Sequence, residues 1–294
     1  MLYAPTYYKD FKCIADKCTH SCCIGWEIDV DADTLDKFQK LGDASAIESI
    51  ETSPTPHFRL CEGERCPHLD TSGLCKIITK HTEEYLPEIC REHPRFYNET
   101  SRGLEVGVGM ACEEACRLIL CSDDYDRVSV VGDGDADCVP FFNTLPHRER
   151  IFEILKDMVL HYSYKLHKIS VIFDVSLSTM SDEEWRGMLD NLEYLDESHR
   201  ALFQRYSSYV SPEAEGEKEA YLKRALAYFV YRHVTAAADE DDLRGRIGFC
   251  LFCERLLCSL VTYTDTDIFT AARIISEEIE YSEDNTQTII DVFI

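Results

Sequence analysis

Glycine and proline are sparse in this chain, 13 and 9 among 294 residues, which excludes collagen-like and low-complexity architectures. No run of about 18 apolar residues occurs, so no membrane-spanning helix is expected. The opening MLYAPTYYKDFKC lacks both the basic and the apolar segment of a secretory signal. Positive charge is short: 30 Lys and Arg stand against 55 Asp and Glu, a formal −25. A global basic field for nucleic acid is therefore absent. The Gly-x4-Gly-Lys phosphate loop and the Gly-x-Ser-x-Gly nucleophile elbow are missing too. What remains is a folded composition, 45% hydrophobic, on an acidic chain. Such a surface either favours cationic partners, such as lysine-rich protein segments, or only maintains solubility.

Cysteine is the outlier in the other direction, with 15 residues. With no secretory signal in view the chain is expected in the cytoplasm, where thiols stay reduced. The odd count fits disulfide pairing poorly, so a metal or iron–sulfur site is the better explanation. Twelve of the cysteines precede residue 140. Cys250, Cys253 and Cys258 lie in an apolar helical stretch and read as core thiols, as do Cys116 and Cys121.

Three regions are expected: a cysteine-rich domain over 1–122, a linker over 123–145 and a helical bundle over 146–294. The fold class is mainly α with a small β-hairpin, a loop-rich cysteine-cluster domain being packed on the bundle. Residues 31–40 predict a short helix capped by Asp31 or Asp33. Residues 95–98 and 104–110 flank Thr100-Ser101-Arg102-Gly103 and predict the hairpin. Residues 112–121 predict a helix, and 128–131 an edge strand within the acidic linker. Beyond Pro146 the set Ile151, Leu155, Met158, Val159, Tyr162 and Leu166 follows a helical period, as do Leu222, Leu226, Phe229, Val230 and His233.

The first cysteine run is Cys13-Ile-Ala-Asp-Lys-Cys18-Thr-His-Ser-Cys22-Cys23-Ile-Gly-Trp26. Cys66-Pro-His-Leu-Asp-Thr-Ser-Gly-Leu-Cys75 follows, then Leu86-Pro-Glu-Ile-Cys90-Arg-Glu-His-Pro-Arg95 and Gly109-Met-Ala-Cys112. Thiolates at such spacings can converge on a soft metal centre. Adjacent Cys22 and Cys23 cannot take similar positions on one face. Either they contact different irons or sites, or one is structural. Pure thiolate ligation suits iron–sulfur centres. Zinc takes mixed ligands, and His20, His68 and His93 lie nearby, with Cys90-x-x-His93 at a usable zinc spacing. Gly107-x-Gly109 looks like the first motif of a Rossmann-type methyltransferase, but no alternating βα units follow, which favours the hairpin. The Cys-x3-Cys-x2-Cys spacing of radical S-adenosylmethionine enzymes begins at Cys18 and Cys22 and then fails at Gly25.

In order and context these residues resemble the flagellin lysine-N-methylase family, which carries a cysteine cluster of the CxxCxxCC type. The likeness runs through Pro5-x-Tyr7, Phe11-x-Cys13, Cys18 to Ile28, Cys66-Pro-His-Leu69, Leu74-Cys75-Lys-Ile77, Leu86 to Arg95 and Cys112 to Arg117. Tyr228-Phe-Val-Tyr-Arg232 and Ile279-Glu-Tyr-Ser-Glu283 extend it. The resemblance implies methyl transfer to flagellin lysines, using S-adenosylmethionine and a 4Fe-4S cluster. It implies a ligand pool of Cys13, Cys18, Cys22, Cys23, Cys66, Cys75, Cys90 and Cys112. Arg95 or Arg232, in family-like stretches, is a candidate to hold the cofactor carboxylate. The partner is then flagellin or another lysine-bearing protein, with no nucleic acid and no membrane. One departure stands out: the family shows Cys-Pro-Glu where this chain has Cys112-Glu113-Glu114. The alternative function is a non-enzymatic zinc or iron–sulfur module that engages a cationic protein.

Overall fold

The computed structural model of the chain describes residues 1–134, 140–209 and 216–294. Cys138, and residues 135–139 of the expected linker, lie outside the described residues. The fold is mainly α with a small amount of β. The strands are β1 Leu2–Pro5, β2 Ile50–Glu51, β3 His57–Phe58, β4 Arg95–Thr100, β5 Gly103–Val108 and β6 Val128–Gly132. Two compact units are present. One comprises Met1–Phe11, Phe96–Ala111 and Ala115–Ile294; the other comprises Lys12–Arg95 with Cys112–Glu114.

In the first unit the expected hairpin, β4 and β5, belongs to a larger sheet of order β4-β5-β1-β6. β1 runs parallel to β5, with Leu2 opposite Leu104, and antiparallel to β6, with Tyr3 opposite Val130. The expected edge strand is β6. Gly103 leaves the turn at φ +138°, and a Cβ there would stand 2.9 Å from the Met1 carbonyl oxygen, so glycine is required. Glu105 points from β5 into the interior with no exposure. Its charge is met by Arg148, at 2.5 and 2.9 Å, and by Arg102 at 2.5 Å. A buried carboxylate is tolerable only with such partners.

Helices Leu145–Lys156, Tyr162–Ile172, Glu217–His233, Glu240–Tyr263 and Ile268–Ile275 make up most of the rest. Leu222, Leu226, Phe229, Val230 and His233 are buried, as the period requires. The Ile151–Leu166 set is corrected. The first helix stops at Lys156, and Met158 and Val159 are 91% and 92% exposed. The Asp157 carboxylate accepts from the backbone N–H of Val159 and Leu160, at 2.9 and 3.2 Å, forming a turn that outcompetes the helix. Cys250, Cys253 and Cys258 are core thiols of Glu240–Tyr263, and Cys116 is buried, but Cys121, expected in the core, is exposed at the end of helix Glu113–Cys121.

The second unit has short elements only. Helix Ala32–Leu41 is capped by Asp31, which accepts from the Thr34 N–H at 2.9 Å and also from Glu88 N–H at 2.8 Å. Its apolar core gathers Ile28, Val30, Phe38, Phe58, Ile77, Leu86 and Cys66, with Cys23, Cys75 and Cys90 packed against it.

Candidate metal centre

All eight thiols of the expected ligand pool fall in the second unit. None of the described cysteines is in a disulfide. The backbone explains how they are carried. After Cys22 and Cys23 the chain reverses at Gly25, whose φ of +82° few other residues adopt. The Gly25 N–H donates to the Glu64 carbonyl at 3.0 Å, Ile24 bridges Arg65, and the Cys66 N–H donates to the Cys23 carbonyl at 2.9 Å. Cys23 and Cys66 are thus fixed side by side. Leu69 bridges Cys75, and its N–H donates to the Cys66 carbonyl at 3.0 Å. Cys90 sits on the turn of helix Glu88–Glu92 and faces the same core. The thiols nearest to Cys90 electrostatically are Cys23, Cys66 and Cys75.

The other four thiols keep different company. Cys18 interacts with Cys112, and Cys22 with Cys112 and Cys13. Cys13 and Cys22 are exposed, Cys18 and Cys112 half-buried. The Glu113 carboxylate ties the Cys18 segment to the residue beside Cys112. Its Oε2 accepts from Thr19 N–H at 2.8 Å, Thr19 Oγ1 at 2.7 Å, His20 N–H at 3.0 Å and the Cys18 thiol at 3.5 Å.

Burial pushes the Cys18 thiol up to about 12, with the Glu113 charge adding to the rise, and Cys66 up to about 11. Burial likewise raises Cys75 and Cys90, and neighbouring thiols reinforce it. Cys23 goes the other way, to about 7, because the Cys22 thiol donates to it and Arg65 lies nearby; Cys22 rises in turn. Without a cation, most of these sulfurs hold their protons, because burial disfavours the thiolates and neighbouring thiolates repel one another. A thiophilic metal reverses that balance by supplying the missing positive charge.

His68 is a core residue: its Nε2 is hydrogen-bonded with Ser49 Oγ at 3.0 Å and its ring packs edge-on against Phe58 at 4.6 Å. Tetrahedral zinc would draw its sulfurs to about 3.8 Å from one another, given a Zn–S bond of about 2.3 Å. Among the described residues, the one trio of His, Cys, Asp or Glu ligand atoms within 4.8 Å of one another is His199, Glu277 and Glu278, in the first unit. A polynuclear iron–sulfur cluster instead gives each thiolate its own iron.

Arg95 and Arg232 lie in different units. Arg95 donates to the Arg91 carbonyl at 3.0 Å. Arg232 donates to Tyr228 Oη at 2.9 Å, stands 3.6 Å from Glu280, and lies over the Phe96 and Tyr281 rings. Tyr228 and His233 also bond Glu280, at 2.9 and 2.6 Å, so the family-like stretches 228–232 and 279–283 meet in one buried polar network. Gly107 is no cofactor turn: a Cβ there would stand 2.3 Å from the Phe96 ring, which seals the backbone.

No protein-family profile and no solved structure matches the chain. It is 27% identical over 139 residues to a protein named lysine-N-methylase from Salmonella choleraesuis (strain SC-B67), covering 42% of this chain and 34% of that relative. The same figures hold for a lysine-N-methylase of Salmonella typhimurium strain LT2. A flagellar biosynthetic protein FliU of Salmonella muenchen is 26% identical over 134 residues, 41% of this chain and 77% of that protein. The chain resembles the lysine-N-methylases. The match spans about a third of the length of the two relatives that carry that name.

Two residues of the site escape a reading confined to cysteine spacing. Glu113 is legible only as a departure from the lysine-N-methylase pattern, Glu in place of Pro. Arg65 carries no motif, and its place beside Cys23 follows from the Ile24–Arg65 bridge.

Proposed function

We propose that the chain is a protein lysine N-methyltransferase, moving the methyl group of S-adenosylmethionine to lysine side chains of flagellin or a similar lysine-bearing protein, with an iron–sulfur cluster on the thiols of its second unit. The observation that carries the reading is the gathering of eight thiols, none in a disulfide, in the unit whose cysteine pattern is that of the lysine-N-methylases. Relatives named lysine-N-methylase and FliU support the reaction and the flagellar substrate. Reduced thiols suit the cytoplasm. Among the described residues, no helix is long and apolar enough to cross a membrane.

In the reaction, the neutral lysine amine attacks the sulfonium methyl carbon. The N–C bond forms, the S–C bond breaks, and S-adenosylhomocysteine leaves. The methylated ammonium then gives up a proton. When bound, a cluster supplies thiolate-ligated, redox-active iron. The chain's own contributions are electrostatic: a −25 charge draws lysine-rich segments, and Arg95 or Arg232 is the candidate to fork the cofactor carboxylate.

The test is to incubate anaerobically purified, metal-replete protein with methyl-labelled S-adenosylmethionine and flagellin, and to locate label on lysines by mass spectrometry. Methyl-lysine is expected. Absence of label on flagellin and on other lysine-rich proteins would overturn the enzyme reading in favour of a metal-binding module.

A further inference from the structure

We propose that the eight thiols form two abutting four-thiolate metal sites: an inner one of Cys23, Cys66, Cys75 and Cys90, and an outer one of Cys13, Cys18, Cys22 and Cys112. The inference rests on the reading of the second unit as a metal domain. It adds a division of the ligands that cysteine spacing leaves open.

The first ground is backbone pairing. Cys23 is locked to Cys66 by a 2.9 Å bond, and Cys66 to Cys75 through the Leu69 bridge and its 3.0 Å bond. With Cys90 these thiols pack on one apolar core. Of the outer four, Cys18 and Cys112 are joined instead through Glu113, the residue after Cys112, which reaches Cys18, Thr19 and His20. The second ground is the neighbouring pair. Cys23 packs on the inner core, while Cys22 is exposed and interacts with Cys13 and Cys112. The two sets meet at the hydrogen bond between Cys22 and Cys23, so the sites touch there. The third ground is stoichiometric: four thiolates complete one tetrahedral or cubane site, and eight are twice that.

The assay is iron, sulfide and zinc per full-length chain after anaerobic purification, followed by release of metal to a chelator. Two sites give about eight iron, or about four iron with one zinc, or two zinc, since a cubane holds about four iron and a structural zinc site one ion. Release is expected in two phases, the outer metal leaving first. Cys18→Ser should abolish the fast phase and leave one site's metal in place, while Cys90→Ser should remove the slow phase or prevent folding. A wild-type content of only about four iron, or only one zinc, would overturn the proposal. So would loss of all metal from folded Cys18→Ser protein. Neither readout depends on methyl transfer.

Discussion

Replacing Glu113 tests whether the outer thiols are held by their neighbours or only by one another. Two opposing effects must be weighed. The carboxylate oxygen accepts two N–H groups and a hydroxyl at 2.7 to 3.0 Å. At a part-exposed site these bonds are each worth about 0.7–1 kcal/mol, so losing them costs about 2–3 kcal/mol of loop order. Against this, Glu113 is a negative charge 3.5 Å from the Cys18 sulfur and disfavours its thiolate. That repulsion is weak in both relevant states. Without metal Cys18 is a neutral thiol; with metal its charge is offset. Relief of repulsion therefore returns at most about 1 kcal/mol. Glu113→Ala should weaken metal binding at the outer thiols by about 1–2 kcal/mol, or about 5–30-fold, within the range of outer-shell supports. Glu113→Gln keeps an acceptor oxygen and removes the charge, so the terms nearly cancel and affinity should stay within about threefold. Competition with a chromophoric chelator measures both variants. Tighter binding in Glu113→Ala would refute the reasoning, because charge would then outweigh positioning. Equal loss in both variants would also refute it.

Gly107→Ala should lower the melting temperature by several degrees without changing metal content, because its Cβ falls 2.3 Å from the Phe96 ring and overpacking of this kind costs about 1–3 kcal/mol. Cys253→Ser should likewise keep full metal content while losing about 1–3 kcal/mol in a urea titration, since it places a hydroxyl at a fully buried position; reduced metal content would remove Cys253 from the core. Asp43 bonds His81 at 2.9 Å, Ser45 at 2.6 Å and Lys80 at 3.2 Å, and its carboxyl lies well below the aspartate range, the His81 bond being the largest cause. A carboxyl depressed in the folded state stabilises above its unfolded value of about 4 and loses that contribution as pH falls. Asp43→Asn should therefore be about 1 kcal/mol less stable at pH 7, with the gap closing below about pH 4; a gap independent of pH would contradict the ion-pair origin.

Local signals in the sequence were legible wherever one residue type decides the outcome. Asp31 caps the helix that follows it, Gly103 turns the hairpin, and the 112–121 stretch is helical from Glu113. Periodicity failed where a turn competed with it. Met158 and Val159 continue the helical spacing of Ile151 and Leu155, yet Asp157 offers their backbone a nearer acceptor. Strand β1 was hidden for a different reason. Four residues carry no usable alternation, and its partner on β5 lies about a hundred residues away, in a parallel pairing that no hairpin signal announces. Cys121 shows the limit of helix faces: Ile119 and Leu120 of the same last turn are buried, but Cys121 falls on the exposed side.

The cysteine block divides along the same line. Spacing singles out Cys13, Cys18, Cys22 and Cys23 as candidate ligands, because four cysteines in eleven residues are too dense for packing. Spacing does not say which thiols share a face. That depends on the Ile24–Arg65 bridge, the Cys66–Cys23 bond and the reach of Glu113 back to Thr19, all contacts between remote segments. Glu113 carries the point furthest. Where the family pattern has proline, the first helical position is set by a fixed φ and needs no side-chain partner. Glutamate also suits that position, since its charge faces the positive end of the helix. Unlike proline, it has a carboxylate to extend. Here that carboxylate fastens the Cys18 loop to the residue beside Cys112, so the substitution that weakens the sequence match adds a physical link between two thiols of the outer set.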